Sequence, residues 1–186
     1  MQVLTRKITF HGALCAAMLF AGFTSHAKAQ TRPWTSVGST GTVDETDTSE
    51  VRFVQGEAQQ SSAVPIGTVS TVRYNVVATN DLGGGFVIPR LTVRYRTGDS
   101  TGRVIARLKR YNYSPGGAAS TMVTLDSNSY PATGGSYVTR SIVNCAAPTL
   151  DFPTTAYFIE VELQKNGVNG IPAVGVLKVD AANCIP

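Results

Sequence analysis

The chain has 186 residues, of which 16 are basic, 12 are acidic and two are histidines, and its formal net charge is +4 at neutral pH. Three of the basic residues (Arg6, Lys7 and Lys28) lie in a predicted leader, so 13 basic residues remain against 12 acidic ones, and the charge does not favour nucleic acid as a partner. Both histidines, His11 and His26, lie in the same leader, which excludes a catalytic histidine or a histidine metal ligand from the rest of the chain.

Residues 1–29 are typical of a cleaved secretory signal peptide. Two basic residues precede an apolar run over 13–23, and Ala27 and Ala29 occupy the two positions that a signal peptidase recognises. The run is shorter than the ~20 residues that cross a bilayer, and no later stretch is apolar enough to do so. The sequence therefore predicts a bacterial protein that is exported to the periplasm or the extracellular medium as a single domain, residues 30–186.

The predicted mature chain begins with an irregular lead-in over 31–41, which carries the only tryptophan, Trp34. Residues 42–57 follow, with five acids against one base. Calcium binds several oxygen ligands at short range, so this acidic segment is a candidate site for a structural calcium, although it lacks the EF-hand spacing. The alternative is a solvated charged segment. The candidate ligands are Asp44, Glu45 and Asp47.

Eight segments have the composition and alternation of β-strands. Most of them end at turn-forming clusters such as Asn80–Gly85 and Pro115–Gly117. Alternation is clearest in residues 156–164, where Tyr, Ile, Val and Leu alternate with Phe, Glu and Gln. The predicted strands are 51–54, 68–79, 88–97, 103–113, 120–125, 136–144, 156–164 and 173–179.

Many short strands, glycine-containing turns and no helical periodicity predict an all-β protein, an antiparallel two-sheet β-sandwich. Eight strands fit a jelly roll better than a seven-stranded immunoglobulin-like topology. Cys145 and Cys184 are the two cysteines outside the leader, and in an exported protein they predict one disulfide bond. That bond closes a loop of 39 residues and stabilises the fold by roughly 3–4 kcal/mol.

A basic cluster over residues 90–110 contains seven bases and one acid, with tyrosines among and just after them. Arginine binds carboxylate and sulfate groups in a bidentate manner, and aromatic rings stack on sugars, so this cluster is a candidate surface for a polysaccharide or another polyanion. The alternative is an ordinary solvated face on which Arg107 and Lys109 lie opposite Glu160 and Glu162. The candidate ligand-binding residues are Arg94, Arg96, Arg107, Lys109, Tyr111, Tyr113 and Trp34.

Catalysis by carboxylates alone is the weakest hypothesis. A glycosidase needs two carboxyl groups about 5–10 Å apart, and one face of a strand carries Glu160 and Glu162 in alternation. The other candidates are Asp99, Asp126 and Asp151. We therefore expect a non-catalytic module that binds a surface or matrix glycan. The alternatives are a self-assembling or envelope-associated structural protein, in which an acidic segment meets the basic face of the next copy, and, third, a carboxylate-dependent enzyme acting on glycans.

Overall fold

The structure is a computed structural model that describes residues 32–83, 87–113 and 117–184. Within these residues, β-strands form almost all of the regular structure, together with three single 3-10 turns over 38–40, 45–47 and 127–129. The strands are β1 (Trp34–Val37), β2 (Thr42–Val43), β3 (Val51–Val54), β4 (Glu57–Gln60), β5 (Thr68–Val76), β6 (Ile88–Arg96), β7 (Gly102–Asn112), β8 (Ser120–Asp126), β9 (Val138–Val143), β10 (Thr155–Lys165) and β11 (Ala173–Ala182).

The strands form two antiparallel sheets. The six-stranded sheet has the order β3-β4-β11-β6-β9, with β1 pairing to β11 beside β4, and the five-stranded sheet has the order β2-β5-β10-β7-β8. Strands β4 to β11 alone give 4-11-6-9 in one sheet and 5-10-7-8 in the other, which is the strand order of a jelly roll. The predicted all-β, jelly-roll-like sandwich is therefore confirmed.

Alternation along the long strands decides which side chains enter the core between the sheets. On β10, Ile159, Val161 and Leu163 are fully buried, whereas Glu160 and Glu162 lie on the opposite side of the strand. Burial of each large aliphatic side chain contributes about 1.5–3 kcal/mol, so a shift of register by one residue would be strongly unfavourable. The outward direction of the polar residues is thus fixed by the core.

Three short strands, β1, β2 and β4, add to the eight that the sequence predicts. The lead-in is not irregular as expected, because Trp34 to Val37 pair in register with Val179 to Val176 of β11. Trp34 is only 7% exposed and belongs to the hydrophobic core. β1 and β4 lie end to end along the same side of β11, and Gly38 sits where they meet.

The disulfide between Cys145 and Cys184 is present, with the two Cα atoms 5.7 Å apart, and the predicted pairing is confirmed. It links the segment after β9 to the segment after β11. These two strands flank β6, one on each side, and each pairs with it. A bond of this kind persists in oxidising compartments. The predicted signal peptide, residues 1–29, lies outside the described residues. Among those described, no helical segment has the length and apolarity that crossing a membrane requires.

Candidate glycan-binding face

The predicted basic cluster is divided between the two sheets. Arg94 and Arg96 lie on β6 of the six-stranded sheet, whereas Arg107 and Lys109 lie on β7 of the five-stranded sheet. Each pair alternates with core residues of its own strand, so both pairs point away from the core. The two pairs therefore occupy opposite outer faces of the sandwich, and the expectation of one continuous basic patch was wrong.

The outer face of the five-stranded sheet, here called the five-stranded face, carries an unbroken row of polar residues. Strand register places one outward residue of each of the five strands side by side. We call these residues the central row. They are, in order across the sheet, Thr42, Arg73, Glu160, Arg107 and Thr124. Because neighbouring strands lie about 4.8 Å apart, the row spans roughly 19 Å.

Ion pairs fix the charged side chains of this face. Lys109 Nζ lies 3.0 Å from Glu160 Oε1, and Arg73 Nε lies 3.4 Å from Glu160 Oε2. Arg107 pairs with Glu162 and also approaches Glu160 to 3.8 Å. Arg107 and Lys109 thus lie opposite the two glutamates, as the alternative interpretation of the sequence predicted.

The same network extends to both edges of the sheet. At one edge, Arg73 Nη2 lies 2.9 Å from Asp44 Oδ2. Toward the other edge, Arg103 Nε donates to Asp126 Oδ1 over 2.9 Å, and Gln164 lies between Arg103 and Glu162. The described face therefore carries four paired cations and four paired carboxylates, so its charges balance.

Two carboxyl groups of the network, those of Glu160 and Asp126, are held in the ionised form. Burial by itself raises the pKa of Glu160, but the ammonium group of Lys109 and the guanidinium of Arg73 outweigh it and hold the pKa below its usual value. The hydrogen bond from Arg103 lowers the pKa of Asp126 against a smaller opposing effect of burial. A glycosidase needs a carboxylic acid with a raised pKa to protonate the leaving group, so these carboxylates do not favour catalysis.

The other candidate catalytic acids are also held by local hydrogen bonds. Asp99 accepts from the hydroxyl and amide of Thr101 and from the amide of Gly102, and the Thr101 hydroxyl is the main reason that the pKa of Asp99 is lowered. Asp151 accepts from the Thr154 hydroxyl. Both acids therefore serve to order their own turns.

Aromatic rings lie at one end of the five-stranded face. Phe158 is the outward residue next to Glu160 on β10 and is in register with Lys109, whose Nζ lies 5.9 Å from the ring centroid. Tyr111 and Tyr113 follow at the end of β7 and are 46% and 63% exposed. Both predicted ligand-binding tyrosines thus lie beyond Lys109 in the same chain segment, at the end of the face where Phe158 lies. Phe158 was missed, although its alternation with core residues already indicated an outward position.

Trp34 lies on β1 of the six-stranded sheet, next to β5, rather than beside the tyrosines. Together with Thr42, Arg73 and Asn75 it lines a polar depression of about 220 Å³ between β1 and β5. Asn75 and Arg73 point outward on β5, so the depression is continuous with the central row. Neither Arg73 nor Asn75 belongs to the basic cluster, which explains why sequence reasoning did not select them.

The acidic segment folds against β5. Asp47 Oδ2 accepts a hydrogen bond from the amide of Thr71 over 2.7 Å, and Asp44 pairs with Arg73, whereas Glu45 is exposed. Among the described residues, no three Asp, Glu, His or Cys side chains are grouped as metal ligands. Asp44, Glu45 and Asp47 are therefore not grouped as a set of three metal-binding side chains, and the structural calcium stays a prediction.

No protein-family model matches the chain, and no curated protein has significant sequence similarity to it. Solved structures with a similar architecture include the CBM36-1 domain of a multidomain xylanase from the hindgut metagenome of Trinervitermes trinervoides, with a TM-score of 0.47 and 14% identity over 82% of this chain and 100% of that chain. The xylan-binding module CBM15 has a TM-score of 0.42 and 10% identity over 73% and 84% of the two chains. A family 11 carbohydrate-binding module from Clostridium thermocellum, in complex with a mixed-linked tetrasaccharide, has a TM-score of 0.41 and 14% identity over 81% and 88%. Because the identities are this low and the TM-scores lie below 0.5, these likenesses carry no argument about a ligand.

Proposed function

We propose that the chain is a non-catalytic module that binds a neutral polysaccharide across the five-stranded face. The observation that carries this proposal is the combination of the central row with three aromatic side chains at one end of the same face. A polysaccharide offers hydroxyl groups along its length and apolar ring faces between them. The five-stranded face offers matching hydrogen-bonding groups and rings.

The ion pairs support binding because they hold the polar groups in place before a ligand arrives. Ordering a long side chain on binding costs about 0.5–1.5 kcal/mol, and the partners of Arg107, Lys109 and Glu160 have already restricted them. Carboxylate oxygens and guanidinium N–H groups have more than one hydrogen-bonding direction, so a paired group can still bind a hydroxyl. Each pair therefore serves as a fixed donor and acceptor.

The balance of charge selects the class of glycan. Four cations face four carboxylates on the five-stranded face, so an acidic chain would meet as much repulsion as attraction there. A neutral chain meets neither. The length of the central row, about 19 Å from strand spacing, suits several sugar residues rather than one.

The test is affinity electrophoresis of the purified protein in gels that contain a soluble β-glucan, xylan or galactan, followed by calorimetry with any polysaccharide that retards it. We expect Tyr111→Ala and Phe158→Ala each to weaken binding by about tenfold, since stacking of a ring on an aromatic side chain is worth on the order of 1–3 kcal/mol for nucleic-acid bases. The matched control is Phe53→Ala, because Phe53 is an aromatic residue on β3 of the other sheet and its exposed fraction, 44%, is close to the 46% of Tyr111. Absence of retardation by every neutral polysaccharide would refute the proposal, as would equal effects of Phe53→Ala and Tyr111→Ala.

Self-association is the second candidate function, and a feature of β3 favours it. This strand lies at the edge of the six-stranded sheet and exposes 44% of Phe53 and 38% of Val54. An open edge with apolar side chains can pair with a second chain. The charge-driven version of this idea loses support, because Asp44 already pairs with Arg73 of its own chain. Light scattering that shows a dimer or larger species, lost in Phe53→Lys, would favour self-association.

A further inference from the structure

The outer face of the six-stranded sheet carries an aromatic ring between two arginines. Arg94 and Arg96 are alternate outward residues of β6, so their Cα atoms lie about 7 Å apart. The ring centroid of Tyr137 lies 5.2 Å from the guanidinium carbon of Arg94 and 5.6 Å from that of Arg96. We call these three residues the Arg–Tyr–Arg site.

The ring and one of the arginines are held in place. Arg96 Nε donates to the Tyr137 hydroxyl over 3.1 Å, and its Nη1 donates to the carbonyl of Ile171 over 3.4 Å. The ring lies over Gly175, where a Cβ atom would be 3.5 Å from it and where β11 changes register. Burial, together with the nearby Glu57, raises the pKa of Tyr137 to about 12, so the hydroxyl stays neutral at physiological pH.

Neither arginine has a carboxylate partner among the described residues, whereas six other cations of the described chain do. Arg73, Arg90, Arg103, Arg107, Lys109 and Lys178 each have a carboxylate oxygen within 4.0 Å. No such ion pair joins Arg94 or Arg96 to any described acid, and Arg94 is exposed. One carboxylate, that of Glu57, interacts with the Tyr137 hydroxyl and offsets one of the two positive charges. The Arg–Tyr–Arg site therefore keeps a net positive charge.

A further cation lies on the same face. Arg52 of β3 is exposed and lies in the same cross-strand row as Arg96. The row runs from Arg52 through Gln59 of β4 and Ala173 of β11 to Arg96 of β6. Three strand spacings separate Arg52 from Arg96, or about 14 Å. The positive charges of this face thus lie at two places across the sheet, so more than one negative group of a repeating chain can meet a cation.

We propose that the Arg–Tyr–Arg site binds the carboxylate or sulfate groups of an acidic polysaccharide, independently of the five-stranded face. A guanidinium group binds either oxyanion through two parallel hydrogen bonds, and the ring of Tyr137 restricts the direction in which each guanidinium points. Nonspecific nucleic-acid binding depends on the number of phosphates that cations neutralise, and the three cations named on this face neutralise few. Acidic polysaccharide is therefore the ligand class that fits the site.

The test measures retention of the purified protein by alginate, dextran sulfate, neutral dextran and single-stranded DNA, at about 20 and 150 mM salt. We expect alginate or dextran sulfate to bind and neutral dextran not to bind through this face. The arm with alginate reports uronate recognition and the arm with dextran sulfate reports sulfate recognition. Binding to single-stranded DNA as tight as to either polysaccharide would overturn the proposal, as would retention by neither acidic polysaccharide.

The variant Arg94→Gln separates this site from general electrostatics. Arg94 is exposed and has no carboxylate partner among the described residues. Its contact with the Tyr137 ring is worth only about 0.5–1 kcal/mol at an exposed site, so its replacement should change the melting temperature little while weakening acidic-polysaccharide binding at least fivefold. The matched control is Arg110→Gln, which removes the same charge from a side chain hydrogen-bonded to Ser120 on the other sheet. Equal losses in both variants would overturn the proposal. Tyr111→Ala should leave acidic-polysaccharide binding intact. Failure of the proposed neutral-polysaccharide binding at the five-stranded face can therefore be distinguished from failure of acidic-polysaccharide binding at the Arg–Tyr–Arg site.

Discussion

The hydroxyl of Tyr74 donates a hydrogen bond to the carbonyl oxygen of Gly38 over 2.7 Å and so joins the two sheets. Tyr74 lies on β5 of the five-stranded sheet and is 2% exposed, whereas Gly38 follows β1 of the six-stranded sheet. The bond crosses the open side of the sandwich next to the Trp34 depression. Burial raises the pKa of Tyr74, so the hydroxyl remains a donor well into alkaline solution.

Replacement of Tyr74 by phenylalanine should lower the free energy of unfolding by about 1–2 kcal/mol, because a buried carbonyl loses its partner while the packing is retained. Urea unfolding followed by tyrosine and tryptophan fluorescence measures the change. Tyr111→Phe is the control, since its hydroxyl lies on an exposed side chain. If both variants unfold at the same urea concentration as the parent, the bond does not contribute to stability.

Gly38 should not tolerate any side chain. A Cβ atom there would lie 2.0 Å from the carbonyl oxygen of Val174 and 2.7 Å from the amide nitrogen of Ala58, both of which are backbone atoms of paired strands. Gly38→Ala should therefore destabilise the fold by several kcal/mol, since the strands would have to separate. Gly135→Ala is the matched control, because a Cβ atom at Gly135 has no heavy atom within 4 Å. Thermal unfolding compares the two, and a stable Gly38→Ala would contradict the close approach.

The disulfide bond should stabilise the protein without being needed for its topology. The bond closes a 39-residue loop, for which the chain-entropy model gives about 4 kcal/mol. The double variant Cys145→Ser, Cys184→Ser should lose about that amount in chemical unfolding and keep the far-ultraviolet circular dichroism of a β protein. The untreated parent and the parent in reducing agent provide the comparison. An unchanged unfolding midpoint would mean that strand pairing around β6 already restricts the loop.

Acid should destabilise the fold through the paired carboxylates. The pKa values of Glu160, Asp126 and Asp180 are lowered in the folded chain, from ordinary values of 4.5 for the glutamate and 3.8 for the aspartates. A lowered pKa stabilises the fold at pH values above the ordinary one, and this contribution is lost as pH falls through the folded value. Stability should therefore be constant near neutrality and decrease below about pH 4.5.

The variant Glu160→Gln tests which group is responsible for part of that loss. It should be less stable than the parent at pH 7 and show a smaller further decrease toward pH 3, because the glutamine does not titrate. Asp151→Asn is the control, since Asp151 is exposed in a turn. Parallel pH profiles for Glu160→Gln and the parent would argue against a role for Glu160 in acid unfolding.

The sequence predicted the sandwich because several of its long strands alternate between buried and outward residues, as Tyr157 to Leu163 do on β10. It did not predict β1, β2 and β4, since two to four residues are too few for a periodicity and Gln60 is a polar residue that is buried. The basic cluster was assigned to a single patch because Arg96 and Arg107 are close along the chain. In a jelly roll, however, β6 and β7 belong to different sheets, and proximity in sequence does not reveal this.

The place of β11 between β4 and β6 imposes an order of events on the newly made chain. Val174 pairs with Ala58, 116 residues earlier, and Leu177 pairs with Val93. Because the chain is synthesised from its amino-terminal end, β4 and β6 are made well before β11. Their apolar residues stay exposed to water until β11 is synthesised and pairs with both strands. Contacts between residues so distant along the chain slow folding. The incomplete chain, in which β11 is still missing, is therefore the form of the protein that most needs a chaperone.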